Sequence, residues 1–145
     1  MKYLLDTNVL SALRNSRKEP AVAGWARTVP THNQFTSAIC VGEIGIGIES
    51  LSRRDKPAGE LIRGWLERQL LPAFASRVLP FDHECALAAA RYRTPNGTLT
   101  TDAMIAATAE VNELTVATRN TKDFAGFGVP LIDPWQYGVG RCVTE

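Results

Sequence analysis

The chain has 145 residues, 45% hydrophobic and 21% charged, which is enough apolar material for one core and too little charge bias for intrinsic disorder. Sixteen Lys and Arg against 15 Asp and Glu leave a net charge of +1, which excludes a protein that holds nucleic acid by bulk cationic attraction; a polyanion must be gripped locally. Cys40, Cys85 and Cys142 stand far apart with no C-x-x-C pair, so neither a zinc knuckle nor a disulfide framework is encoded, and a reducing cytoplasm is the expected compartment.

Lys2 to Leu5 is a short apolar run that breaks at Asp6, Thr7 and Asn8, after which Val9, Leu10 and Leu13 recur at helical spacing. Pro20 opens a helix carrying Val22, Trp25, Ala26 and Val29, ended by Pro30. A second strand is expected at Phe35 to Ser37, then a helix from Ile39 to about Arg53. There Gly42, Gly45 and Gly47 oppose helix by propensity, at about 1 kcal/mol each, while Ile44, Ile48 and Leu51 supply the stripe that favours it. The small neighbours of Glu43 on this helix, Cys40, Gly47 and Ser50, suggest a face that approaches another backbone. RRDKP at 53–57 is a charged break, and Leu61, Ile62, Trp65 and Leu66 pattern a helix from Ala58 to Leu71, stopped by Pro72. Arg77 to Phe81 reads as a third strand, Asp82 as the N-cap of a helix from Glu84 to Tyr92, and TPNG at 94–97 as a stop. The run from Thr98 to Glu113 is a helix with Met104, Ala107 and Val111 along one face. Leu114 to Ala117 and the VPLID segment supply the last two strands. No window approaches the roughly 18 apolar residues of a membrane span, and Asp6 interrupts any signal-like stretch.

Strands alternate with helices, and the strands are short apolar runs without polar alternation, as in a parallel sheet covered on both faces. The expectation is one α/β domain over 1–145, whose working crevice lies outside the carboxyl ends of its strands. Asp6 follows the first strand and Asp123 the Leu114 to Ala117 strand, so both point to one rim. Asp102 lies in the first turn of its helix and Glu43 within a turn of the start of the glycine-rich helix. Taken singly, each has an ordinary alternative: Asp6 and Asp102 as helix caps, Glu43 as a solvated side chain, Asp123 in an Asx turn. Together they form an acidic site that a hard divalent cation would neutralise, and neither His32 nor His83 has a metal-ligand partner at helical spacing. Asp82, Asp133, Glu110 and Glu113 read as caps, turn residues and solvated face.

Three stretches, LLDTNVL at 4–10, TSAICVGEIGIGI at 36–48, and DAMIAATA with VATRNTKDF at 102–109 and 116–124, resemble the PIN-domain nucleases, particularly VapC-like toxins of bacterial toxin–antitoxin pairs. GVPLIDPW at 128–135 is similar to that family's last strand. The resemblance implies a three-layer α/β/α fold with a central parallel sheet, and a magnesium- or manganese-dependent endoribonuclease. It places metal-binding and catalytic acids at Asp6, Glu43, Asp102 and Asp123, with Thr7, Asn8, Thr118 and Asn120 as polar residues supporting them. It further implies RNA as substrate, a homodimer, an antitoxin that holds the enzyme inactive, contact with DNA only through that antitoxin, no membrane, and a cytoplasmic location.

Two other readings of the acids stand beside this one. An aspartyl-phosphate phosphatase would use Asp6 as nucleophile, but its D-x-D motif needs an acid where this chain has Asn8. An acidic binding module would receive a basic peptide and do no chemistry. Trp25, Trp65 and Phe74 are candidates for a partner interface or for the core, and Arg53, Arg54 and Lys56 for an RNA flank or a solvated loop.

Overall fold

The computed structural model of the protein describes residues 1–139; Cys142 lies outside them. Five strands form one parallel sheet in the order β3-β2-β1-β4-β5: β1 (Tyr3–Leu5), β2 (Gln34–Ser37), β3 (Val78–Leu79), β4 (Thr115–Ala117) and β5 (Leu131–Ile132). The connections from β1 through β2 to β3 carry α1 (Thr7–Arg14), α2 (Pro20–Thr28), α3 (Ala38–Arg54), α4 (Lys56–Trp65) and α5 (Leu71–Phe74). The chain then crosses back over β2 and β1 to reach β4 by way of α6 (His83–Ala90) and α7 (Thr101–Val111), and α8 (Thr121–Phe124) leads to β5. Because parallel crossovers are right-handed, reversing the direction of travel puts the second set of helices on the opposite face of the sheet. The result is the α/β/α sandwich expected from the sequence. The reversal happens beside β1, so the carboxyl ends of β1 and β4 flank a topological switch point.

Leu4, Leu5, Val116 and Ala117 are fully buried, as the unalternating strand sequences require. One large cluster joins them to Val9, Leu10, Val22, Ile44, Ile48, Ile105 and Phe124. Trp25 and Phe74 belong to this core, 4% and 6% exposed, so neither is an interface residue of the folded chain; Trp65 is half-buried against it. In α7 the residues Ala103, Ile105, Ala106, Ala107, Thr108 and Ala109 are all buried, whereas Met104 and Val111 are not. The helix is therefore enclosed nearly all round, and the single stripe expected of it is replaced by small side chains that let α6 and the sheet approach together.

Two expectations are corrected. Pro72 does not stop its helix: the chain continues through a π-helical turn at Leu66–Leu70 into α5, which contains the proline. Proline lacks an N–H and its ring crowds the carbonyl four residues back, and a widened turn just upstream accommodates both defects. The small residues around Glu43 on α3 do not line a close approach either: only Cys40 is buried, in the stripe with Ile44 and Ile48. Gly47 and Ser50 are exposed, and an added Cβ at Gly47, as at Gly42 and Gly45, would find no atom within 4 Å. Close approach occurs instead at Gly59 of α4, where a Cβ would lie 1.9 Å from Ser52 Oγ and 2.9 Å from Ser52 Cα. Gly59→Ala should lower stability by roughly 1–3 kcal/mol, overpacking against backbone outweighing the gain of about 1 kcal/mol in helix propensity. A urea melt showing the variant more stable than the parent would contradict that contact.

Candidate active site

Asp6 stands at the carboxyl end of β1 and is also the N-cap of α1, in extended conformation. Its Oδ1 accepts from the Thr7 N–H at 2.8 Å and lies 3.9 Å from Cys40 Sγ, while Oδ2 accepts from Thr118 Oγ1 at 2.8 Å. The carboxylate is 5% exposed. Burial, reinforced by the repulsion of Glu43, pushes its carboxyl above the usual carboxylate range, although the bonds from Thr118, Thr7 and Cys40 favour the ion. Capping and proximity to a second acid are thus not alternatives here: Oδ1 caps α1, and the carboxylate offers a ligand atom within 4.8 Å of one from Glu43.

Ser37, at the end of β2, caps α3 by accepting from the Cys40 N–H at 3.1 Å. That fixes the first turns of α3 against β1 and brings Glu43 to α1, where Glu43 Oε1 accepts from Thr7 Oγ1 at 2.6 Å. Asp6, Cys40 and Glu43 offer one ligand atom each within 4.8 Å of one another. In the sequence Cys40 stands out only as a small neighbour of Glu43. The structure sets its thiol between Ser37 Oγ at 3.2 Å and Asp6, and burial followed by the Asp6 charge pushes it up to about 11, so it sits there as a neutral weak donor. The signal available in the sequence was its position three residues before Glu43, one helical turn along the same face.

Asp102 is free of capping, because Thr100 Oγ1 takes the α7 cap by accepting from the Ala103 N–H at 3.1 Å. Burial, then Asp6, Asp123 and Glu43, push its carboxyl up; the other three acids expected at the rim therefore all lie within electrostatic reach of Asp102, although among the described residues it is Asp6 and Glu43, with Cys40, whose ligand atoms all lie within 4.8 Å of one another. Asp102 and Asp123 line one cavity of about 300 Å³ with Arg93, Thr94, Pro95 and Phe127. Asp123 is exposed in the first turn of α8 and makes no Asx turn. Asp82 and Asp133 are plain caps, accepting from the Cys85 and Trp135 N–H groups, and Glu110 pairs with Arg91 at 3.2 Å on the surface.

The polar residues act around Asp6. Thr118 Oγ1 accepts from Asn8 Nδ2 at 3.3 Å and from the Asn120 N–H at 3.0 Å, so its own proton is directed at Asp6. Asn120 takes part through its backbone. Asn8 Oδ1 accepts the Arg119 N–H at 3.3 Å, so its side chain is occupied on both ends and supplies no acid for a phosphatase.

Residues 3–128 match the family described as PIN domain. The chain belongs to the PIN domain family. It is 36% identical over 137 residues to toxin FitB of Neisseria gonorrhoeae, covering 91% of this chain and 97% of that protein. It is 35% identical over 141 residues to VapC ribonuclease Y4jK of Sinorhizobium fredii, covering 92% and 97%. Among solved structures, FitAcB from Neisseria gonorrhoeae superposes with a TM-score of 0.80 at 35% identity, over 92% of this chain and 98% of that one. In this PIN domain the RRDKP segment shrinks to a single break at Asp55, whose side chain caps α4, and Arg53, Arg54 and Lys56 are exposed around it. Among the described residues no helix is long and apolar enough to cross a membrane.

Proposed function

We propose that this single PIN domain is a divalent-metal-dependent endoribonuclease, the toxin of a toxin–antitoxin pair, working in the cytoplasm as a homodimer. The observation that carries the reading is Asp102: a half-buried carboxylate with no capping role, set where burial and then Asp6, Asp123 and Glu43 all raise the cost of its negative charge. The donor set is oxygen, with one neutral thiol, which fits magnesium or manganese and not zinc. Asp6, Glu43 and Asp102 would hold the ion, with Asp123 reaching it through water. Bound there, the metal would polarise a phosphodiester oxygen and lower the pKa of an attacking water.

The chain's own residues supply the rest. Thr118 and the Thr7 N–H orient Asp6 and favour its ion against burial, Thr7 Oγ1 holds Glu43 in register with it, and a neighbouring carboxylate would accept the proton released on attack. The toxin and ribonuclease labels of the relatives support RNA as substrate and a small antitoxin as partner, whose Arg or Lys entering this acidic pocket would silence it; DNA would be met only through that antitoxin. Purified protein should cleave RNA with magnesium or manganese and fall silent with chelator. Undiminished cleavage in excess chelator would sink the metal reading, and failure to cleave any RNA would leave the acidic binding module in its place.

A further inference from the structure

Arg119 follows Thr118, the residue whose hydroxyl donates to Asp6, and its own N–H is tied to Asn8 in the first turn of α1. It therefore stands at the lip of the carboxylate cluster. Its side chain is exposed, yet it does not wander over the surface: the guanidinium carbon lies 5.2 Å from the ring centroid of Trp135. Trp135 is itself fixed. Its Nε1 donates to Glu19 Oε2 at 2.9 Å, and its backbone N–H donates to Asp133 Oδ1 at 2.9 Å. Glu19 is the N-cap residue of α2 but makes no capping bond with its side chain, its carboxylate being used on the indole.

The other arginines with recorded contacts spend their N–H groups on protein oxygens: Arg77 on backbone carbonyls, Arg63 on Glu49, Arg91 on Glu110. Arg119 does not. Among the described residues no carboxylate lies within ion-pair distance of it and no acceptor takes its guanidinium protons. An indole face fixes the plane of a guanidinium and leaves its edges open, a geometry that suits bidentate binding of a phosphate at small entropic cost. A need for such a cation follows from the site itself. RNA must bring its phosphates up to four acids, and the chain's overall charge of +1 gives no long-range help.

We propose that Arg119, held over the ring of Trp135, is a phosphate-binding subsite that seats the RNA backbone beside the carboxylate cluster. The proposal rests on the ribonuclease reading, and its test separates the two. The affinity of the full chain for a short labelled single-stranded RNA of mixed sequence is measured in chelator, so that the probe survives, across a salt series. Arg119→Ala should weaken binding about tenfold and flatten the slope of log affinity against log salt by about 0.7, one phosphate contact on a single strand. Arg119→Lys should keep the slope while losing part of the affinity, and Trp135→Leu should weaken binding with the charge still present. Arg17, exposed beyond the far end of α1, is the control: Arg17→Ala removes the same charge and should change neither quantity.

An unchanged slope and affinity in Arg119→Ala, or an equal loss in Arg17→Ala, overturns the subsite, as does a wild-type chain that binds no RNA. If Arg119→Ala does not fold, Arg119→Gln is read by the same criteria. A wild-type chain that binds with an Arg119-dependent slope but cleaves nothing with magnesium or manganese supports the subsite and removes the ribonuclease reading. One that cleaves with an Arg119-independent slope does the reverse.

Discussion

Asp102→Asn should reduce metal-dependent RNA cleavage by at least about a hundredfold while leaving the chain folded, since loss of even the groups that merely orient a metal ligand costs ten- to a hundredfold. The substitution is clean because, among the described residues, the Asp102 side chain has no hydrogen-bond partner, the cap of α7 being Thr100. Asp6→Asn should be as damaging to cleavage and less interpretable. Both Asp6 oxygens accept bonds from fixed donors, the Thr7 N–H and Thr118 Oγ1. Wherever the new amide nitrogen points, two donors face each other, and the hydroxyl of Thr118 already accepts from two further N–H groups. An unsatisfied buried donor costs about 1–3 kcal/mol, so Asp6→Asn should also melt lower. A cleavage rate in Asp102→Asn equal to wild type, measured on the same RNA with manganese, would remove this carboxylate from the site.

Manganese should raise the melting temperature of the wild type and barely change that of Asp102→Asn, which should itself melt higher than wild type without metal. Asp6 and Glu43 offer ligand atoms within 4.8 Å of each other, a separation at which two charges repel by about 3 kcal/mol at an effective dielectric near 20, before relaxation and protonation reduce it. Asp102 adds a further charge to that pair, and the Asn variant withdraws it. Metal bound only by the folded chain stabilises by about 2.7 kcal/mol at a hundredfold excess over its dissociation constant. The same repulsion sets the pH dependence. Burial first, and then the neighbouring acids, raise the carboxyls of Asp6 and Asp102 in the fold, so the folded chain holds those protons more tightly than the unfolded one. Their contribution to stability is full below the ordinary carboxyl range near pH 4 and is lost as pH rises through the raised values. The wild-type apo protein should therefore lose more stability than Asp102→Asn between about pH 4 and pH 7. A variant melting well below wild type without metal would mean that Asp102 is mainly structural.

Which rim of the sheet would carry the acids was legible because a strand-end aspartate is visible in sequence: Asp6 after LLL-like apolar residues and Asp123 after the β4 run. The helix through Gly42, Gly45 and Gly47 was legible too, since the buried Ile44 and Ile48 outweigh local propensity once they pack. What faces those glycines was not, because a helical wheel shows which side is small without showing which side has a neighbour; the neighbour, α4, meets Ser52 through Gly59. The enclosure of α7 erases its periodicity: of the face Met104, Ala107 and Val111 only Ala107 is buried, and small side chains fill the remaining contacts. The placements of Cys40 and Arg119 were not legible for a related reason. A thiol sealed beside Asp6 and an arginine set over a tryptophan distant in sequence leave no local pattern.

The hydrogen bond from Thr118 to Asp6 spans 112 residues, and β4 pairs with β1 along its whole length. On a ribosome adding about 5–20 residues per second, the strand that completes the site is made roughly 6–20 s after the aspartate it supports. During that interval β1 has an open edge, Asp6 lacks Thr118, Asp102 is missing for most of the time and Asp123 for all of it. With the proposed site, the nascent chain would be catalytically silent until synthesis is nearly finished, and fragments released early would carry no activity.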